Sequence, residues 1–333
     1  RKSETLLQHI HDLRQLLMYN FVYSSSDIYA PFCLASISSL LKNNKEVFGK
    51  STFHILSNAV SDANIIKFQS LCDKFNCKLN VIDTQQIRDL IKSYNCKLNF
   101  NIASFQRIFL SELLPNNVEK ALFIDSDTYV NHGIADLYSI SLNNSPCAMV
   151  PDQPILRKHQ AEAGLDYNEN YFNAGVILVN VKFWRENGIS QLMMESFLER
   201  PGGCALDDQT VINVVLAKST IVLPYKYNMM KVISCRTFRH FCKSNQPVGF
   251  HSYEEFVEAR NKPVIVHFNG PSLRPWHKWN AHPYKKIFLR EVRTYTPGFK
   301  LISPDVPLYF LVFSWCINKF GYKIIYSLTG HKR

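Results

Sequence analysis

Short runs of β-branched and aromatic residues alternate with helical apolar spacings along most of the chain, and that alternation leaves few folds open. YNFVYS (19–24), STFHILS (51–57), KLNVID (78–83), KALFI (120–124), YFNAGVILVN (171–180) and PVIVHF (263–268) read as strands. Residues 31–44, opened by Pro31, read as a helix, as do 61–76, 103–114, 181–199 and 207–217. Strands this uniformly apolar are covered on both faces, and parallel neighbours need a crossover, usually helical. The pattern predicts an α/β fold: a mostly parallel sheet flanked by helices, without internal repeats. Leu6, Leu7, Ile10, Leu13 and Leu17 predict a further amphipathic helix, so residues 1–18 are expected to form a separate N-terminal element.

Composition matters mainly for its asymmetry. The 333 residues are 46% hydrophobic and 20% charged, which excludes a disordered chain. The net charge is +11, and residues 282–333 carry nine Lys/Arg against Glu291 and Asp305. An anionic partner is expected there. LYFLVFSWCI (308–317) is too short to cross a bilayer. With Trp315, Tyr322 and Tyr326 beside Lys319 and Lys323, residues 285–333 instead suit a basic, aromatic segment lying on an anionic membrane surface; a helix packed on the domain is the alternative. Nucleic acid is not expected, because no aromatic-basic array accompanies the charge. The nine cysteines contain no C-x-x-C pair and read as reduced thiols. Charges interrupt the leucines of the first eighteen residues, unlike the apolar core of a signal peptide. The expected location is cytoplasmic, peripheral to the inner face of the cell membrane.

LFIDSDTYV (122–130) sets Asp125 and Asp127 at the end of an apolar strand, where ligands of open α/β sheets collect. In an extended chain, residues i and i+2 face the same side, so both carboxylates can meet one hard cation such as Mg²⁺ or Mn²⁺. A polar turn would use the same residues. D-x-D-x-T also fits a haloacid-dehalogenase-like phosphatase, with Asp125 attacking phosphorus, Asp127 as acid/base, and Asp207-Asp208 as the late acidic pair. That motif usually comes early in such proteins, whereas here it starts at residue 125.

Four stretches narrow the choice: D-S-D at 125–127, Y-F-N-A-G-V-I-L-V-N-V-K-F-W at 171–184, D-D-Q at 207–209, and H-F-N-G-P-S-L-R-P-W-H-K-W at 267–279. In this order, from about Tyr19 to Tyr284, the chain resembles glycosyltransferase family 8, the retaining enzymes of the GT-A fold. Within it, the resemblance is to bacterial glucosyl- and galactosyltransferases of lipopolysaccharide cores. It implies a Rossmann-like mixed sheet over 19–284. It implies Mn²⁺ or Mg²⁺ on Asp125, Asp127 and His267, and a UDP-sugar donor. Glucose or galactose would pass in α linkage to a glycan acceptor of the cell envelope, such as lipopolysaccharide core, capsule or exopolysaccharide.

The same resemblance assigns Ser24, Asp27 and Tyr29 to the uridine loop, with Asp27 as polar contact. Arg107, Asp125 and Ser126 would contact the donor. Asn173, Ala174 and Gly175 would leave room for a sugar ring. Asp208 and Gln209 would contact the donor sugar and carry the catalytic roles, the carboxylate holding hydroxyls and the amide lying on the face where the acceptor enters; Gly270 and Arg274 would hold the diphosphate. The family pattern H-x-x-G-x-x-K-P-W here has one extra residue and Arg274 for Lys, and D-Q-D reads Asp208-Gln209-Thr210. Ile28 stands where a polar nucleotide contact is common. These departures keep a catalytically weak sugar-nucleotide-binding relative as an alternative. Retention fits a front-face reaction or two inversions through a protein nucleophile, for which Asp208 is the nearby carboxylate.

Overall fold

The computed structural model describes residues 18–93, 102–152, 157–200, 207–235, 237–245, 252–270, 274–280 and 282–304, with single positions 309, 312 and 316. The expected N-terminal helix and nearly all of the aromatic tail, including the run 308–317, lie outside the described residues.

Among the described residues, ten short strands form two sheets: β1 (Tyr19–Ser26), β2 (Ser51–Asn58), β3 (Lys78–Asp83), β4 (Lys120–Ile124), β5 (Thr128–Val130), β6 (Cys147–Pro151), β7 (Phe172–Asn180), β8 (Ile221–Val222), β9 (Met229–Met230) and β10 (Ile265–His267). The main sheet has seven strands in the order β3-β2-β1-β4-β7-β6-β8. β3, β2, β1 and β4 are mutually parallel, as expected from helical crossovers, while β7 runs antiparallel to both β4 and β6. The second sheet, β5-β10-β9, has three strands. The mostly parallel mixed sheet is therefore the architecture expected.

Alternation along each central strand explains the near-continuous apolar runs. Phe21 and Tyr23 of β1, Leu122 and Ile124 of β4, and Val176 and Leu178 of β7 pack into one core. The intervening Val22, Ala121, Phe123, Ile177 and Val179 enter a second core on the opposite face. Two expected helices are broken. Residues 102–113 form a turn of α-helix, a 3₁₀ turn over Gln106–Phe109, and another α-turn. The stretch 181–198 divides at Gly188, whose φ of +59° is left-handed.

The boundary expected at residue 284 is not where the domain ends. Lys285–Tyr295 is a helix with Phe288, Leu289 and Val292 buried in the first core. Its buried Glu291 accepts from Ser38 Oγ at 2.8 Å and pairs with Lys42 Nζ at 2.5 Å. The basic residues Lys286, Arg290 and Arg293 are exposed on the outer face. Charge pattern alone did not separate a packed amphipathic helix from a surface-seeking segment. Phe288 lies 4.9 Å from Phe268 and 6.0 Å from Trp276 between ring centroids. Phe288→Ala is expected to destabilise the protein by about 3–5 kcal/mol, measured by urea denaturation. A helix outside the core would lose almost nothing.

Candidate active site

β4 ends at Ile124, and the chain turns through Asp125, Ser126 and Asp127 into β5, passing from one sheet to the other. The carboxylates are therefore brought together by a turn rather than by the extended i, i+2 geometry expected. Asp125 N–H donates to Gly175 O at 2.8 Å, and Ser126 Oγ donates to Ser24 O at 2.8 Å. β10 pairs antiparallel with β5, setting His267 opposite Thr128, and Phe268 N–H donates to Asp127 O at 2.9 Å. That register puts His267 Nε2 at 3.7 Å from Asp125 Oδ2 and 3.4 Å from Asp127 Oδ1. One donor atom from each of the three residues lies within 4.8 Å of the others, an O,O,N set suited to a divalent cation. Burial pulls the His267 imidazole below its ordinary pKa, outweighing Asp125 and Asp152, so the neutral ring with one bare nitrogen is favoured.

Gly175 corrects one expectation. A Cβ there would stand 2.2 Å from His267 Cε1 and 2.9 Å from Asp125 Oδ2. The space beside this glycine is filled by the acid and the imidazole, not left for a sugar ring. Arg107, on the 3₁₀ turn, is 5% exposed and bridges the site: Nη2 lies 3.0 Å from Asp125 Oδ1 and Nε lies 2.8 Å from Asp208 Oδ2. Its Nη1 donates to Ala174 O, and the guanidinium lies 4.7 Å from the Phe123 ring centroid. Arg274 pairs with Asp127 and stands 5.6 Å from the Trp276 ring centroid. Gly270 adopts φ +95°, a conformation that side chains strain to reach.

These groups line a cavity of about 660 Å³, within the usual range for a ligand site. All the expected site residues border it except Asp27. The Asp27 carboxylate instead accepts from Ser61 N–H and Asn64 Nδ2, each at 2.8 Å, at the start of the helix Asp62–Lys74. Those bonds hold its pKa below the usual carboxylate range. Its carboxylate ties the loop after β1 to the start of that helix rather than bordering the cavity. Ser24 also braces the site: its hydroxyl lies 2.5 Å from Ala103 O. Tyr29 borders the cavity with its ring edge-on to Trp276 at 6.0 Å.

Gln209 is fully engaged. Its Oε1 accepts from Asn173 Nδ2 at 3.2 Å and Ala174 N–H at 3.1 Å, while Nε2 donates to Asp152 Oδ2 at 2.7 Å. With both lone pairs used, its amide oxygen is a brace rather than an attacking group. Asp152, His159, Asn228 and His277 belong to the site or its support but escaped the sequence reading. Asp152 had a usable signal, since CAMVPD repeats the strand-then-aspartate arrangement of KALFID. Asn228, in YKYN, had none. Among the described lining residues, four carboxylates face two guanidiniums, and burial lowers the pKa of all three imidazoles. The excess of two negative charges equals the charge of one divalent cation.

An open α/β sheet of this topology, with an Asp-Asp-His cluster in a cavity at its strand ends, has the layout of an α/β protein that takes its ligand outside the carboxyl ends of its strands. The glycosyl transferase family 8 model matches residues 20–280, and the chain belongs to that family. It is 25% identical over 276 residues to the lipopolysaccharide 1,2-glucosyltransferase of Escherichia coli K12, covering 81% of this chain and 76% of that one. Identity is 23% over 281 residues with the lipopolysaccharide 1,3-galactosyltransferase of Salmonella typhimurium, covering 82% and 77%. The galactosyltransferase LgtC, solved with donor and acceptor sugar analogues, superposes with a TM-score of 0.69 at 20% identity, over 87% of this chain and 98% of LgtC. The shared architecture is the GT-A fold. Family membership sets aside the haloacid-dehalogenase alternative. Gly175→Ala is expected to overpack the cluster and cost about 1–3 kcal/mol in the metal-free protein, read by urea denaturation.

Proposed function

We propose that the protein transfers glucose or galactose from a UDP-sugar to a cell-envelope glycan, in α linkage, with Mn²⁺ or Mg²⁺ on Asp125, Asp127 and His267. The observation that carries the reading is the convergence of this cluster with two arginines in one cavity. The printed activities of the lipopolysaccharide glucosyl- and galactosyltransferase relatives support the sugar and acceptor classes. A cation bound there would neutralise charge developing on the departing diphosphate. Arg274 and the open backbone at Gly270 suit the diphosphate, and the Tyr29 ring offers a surface for the uracil.

Asp208, ion-paired to Arg107, suits donor hydroxyls. Asp152, braced by Gln209 Nε2, borders the same cavity and suits acceptor hydroxyls. Gln209 Oε1 is doubly hydrogen-bonded and Asp208 is ion-paired to Arg107, which supports a front-face reaction, in which the leaving phosphate oxygen takes the acceptor proton, over a double displacement through Asp208. Among the described residues no helix is long and apolar enough to cross a membrane. The exposed basic face of Lys285–Tyr295 and the aromatic tail support attachment to the anionic inner surface of the cell membrane.

Incubation with Mn²⁺ and a panel of UDP-sugars should release UDP, with UDP-glucose or UDP-galactose preferred. Chelator and Asp127→Ala should each abolish release. No release from any sugar, with or without glycan acceptors, would leave a sugar-nucleotide-binding relative as the better reading. Separately, the protein should co-sediment with anionic vesicles and lose that binding when residues 300–333 are deleted; unchanged sedimentation refutes attachment through the tail.

A further inference from the structure

His267 is held by a chain of amides whose orientations all trace to two main-chain N–H groups of β7. Ala174 N–H donates to Gln209 Oε1 at 3.1 Å, and Gly175 N–H donates to Asn173 Oδ1 at 3.0 Å. A main-chain N–H can only donate, so both acceptor atoms must be oxygen. Asn173 Nδ2 then faces Gln209 Oε1 at 3.2 Å, consistent with both assignments. Asn228 Nδ2 donates to the same Asn173 Oδ1 at 2.9 Å, which turns Asn228 Oδ1 toward His267 Nδ1 at 3.0 Å. An amide oxygen has no proton to give. The proton between them must sit on Nδ1, leaving Nε2 bare toward Asp125 and Asp127.

The opposite tautomer would set the Nδ1 lone pair against the Asn228 oxygen, two acceptors in contact. Rotating the Asn228 amide to relieve that would bring its oxygen against Asn173 Oδ1. Asn228 and His267 are 0% and 3% exposed, so water does not offer a substitute partner. Backbone pairing keeps the two side chains in register: Asn228 directly precedes β9, whose Met230 pairs with His267 of β10.

We propose that Asn228 is a positioning residue that locks His267 as the Nδ1–H tautomer and so presents Nε2 to a divalent cation. The cation half of this rests on the metal-dependent reading above; the tautomer half does not. An amide partner of this kind orients a metal-binding imidazole and strengthens it as a ligand.

Long-range ¹H–¹⁵N correlation of histidine-labelled, metal-free protein at neutral pH tests the lock directly, with the His267 signals assigned by their loss in His267→Gln. Wild-type protein should show a protonated Nδ1 and a bare Nε2. Asn228→Leu should mix or reverse the tautomers and weaken Mn²⁺ binding by about 10–100-fold in calorimetry. Asn228→Asp, which keeps an acceptor toward Nδ1 but loses the donor to Asn173 Oδ1, should retain the Nδ1–H tautomer. A protonated Nε2 in the wild type overturns the proposal. So does a folded Asn228→Leu with unchanged tautomer and Mn²⁺ affinity, which would make Asn228 a packing residue only. Should Asn228→Leu fail to fold, the wild-type spectrum and Asn228→Asp decide. Wild-type protein that shows the Nδ1–H tautomer but binds no Mn²⁺ counts against the metal-dependent reading, and leaves the lock standing.

Discussion

The antiparallel pairing of β10 with β5 is the constraint on which the site depends. It sets His267 opposite Thr128 and ties Phe268 to the carbonyl of Asp127. A slip of one residue would turn the imidazole to the other face of the small sheet and leave the two acids without it. Neighbouring contacts hold the same register. Thr128 Oγ1 meets Ser36 Oγ at 2.7 Å, and Asn131 N–H donates to Val264 O at 2.8 Å. Gly175 completes the arrangement by leaving the imidazole and Asp125 the volume a Cβ would take.

Electrostatics follow from that packing. Gathering four carboxylates in one cavity, three of them buried, is costly without compensating positive charge. Arg107 offsets two of them, Asp125 and Asp208, and Arg274 meets Asp127. The remaining imbalance is what a divalent cation would remove. The amides of Asn173, Gln209 and Asn228 add no charge. They orient what they touch, from Asp152 at one end to His267 at the other.

Much of this was legible in the sequence where a residue's neighbours in space are its neighbours in the chain. The strands β1 to β4 and the Asp125–Asp127 pair follow from local apolar runs and a strand ending in acids. His267, Arg107 and Asp208 became legible through resemblance to a family, which carries spatial information that spacing does not. Asp27 misled because an aspartate in a loop serves a nucleotide or a helix N-terminus equally well. Lys285–Tyr295 misled because a basic amphipathic pattern states that one face is apolar and not what covers it. Asn228 carried no signal, since its partners lie 39 and 55 residues away in the chain.

By itself the sequence determined the alternation of strands and helices, the two-faced burial of the central sheet and the acids at the end of β4. These rest on periodicity and local chain geometry, which act over a few residues. Tertiary structure decided which groups those acids meet. It turned β7 antiparallel, aligned β10 with β5, filled the space at Gly175 with an imidazole, and drew the last basic helix into the core. Each of these depends on pairing and packing between segments far apart in the chain, and no local pattern encodes the register of such a pairing.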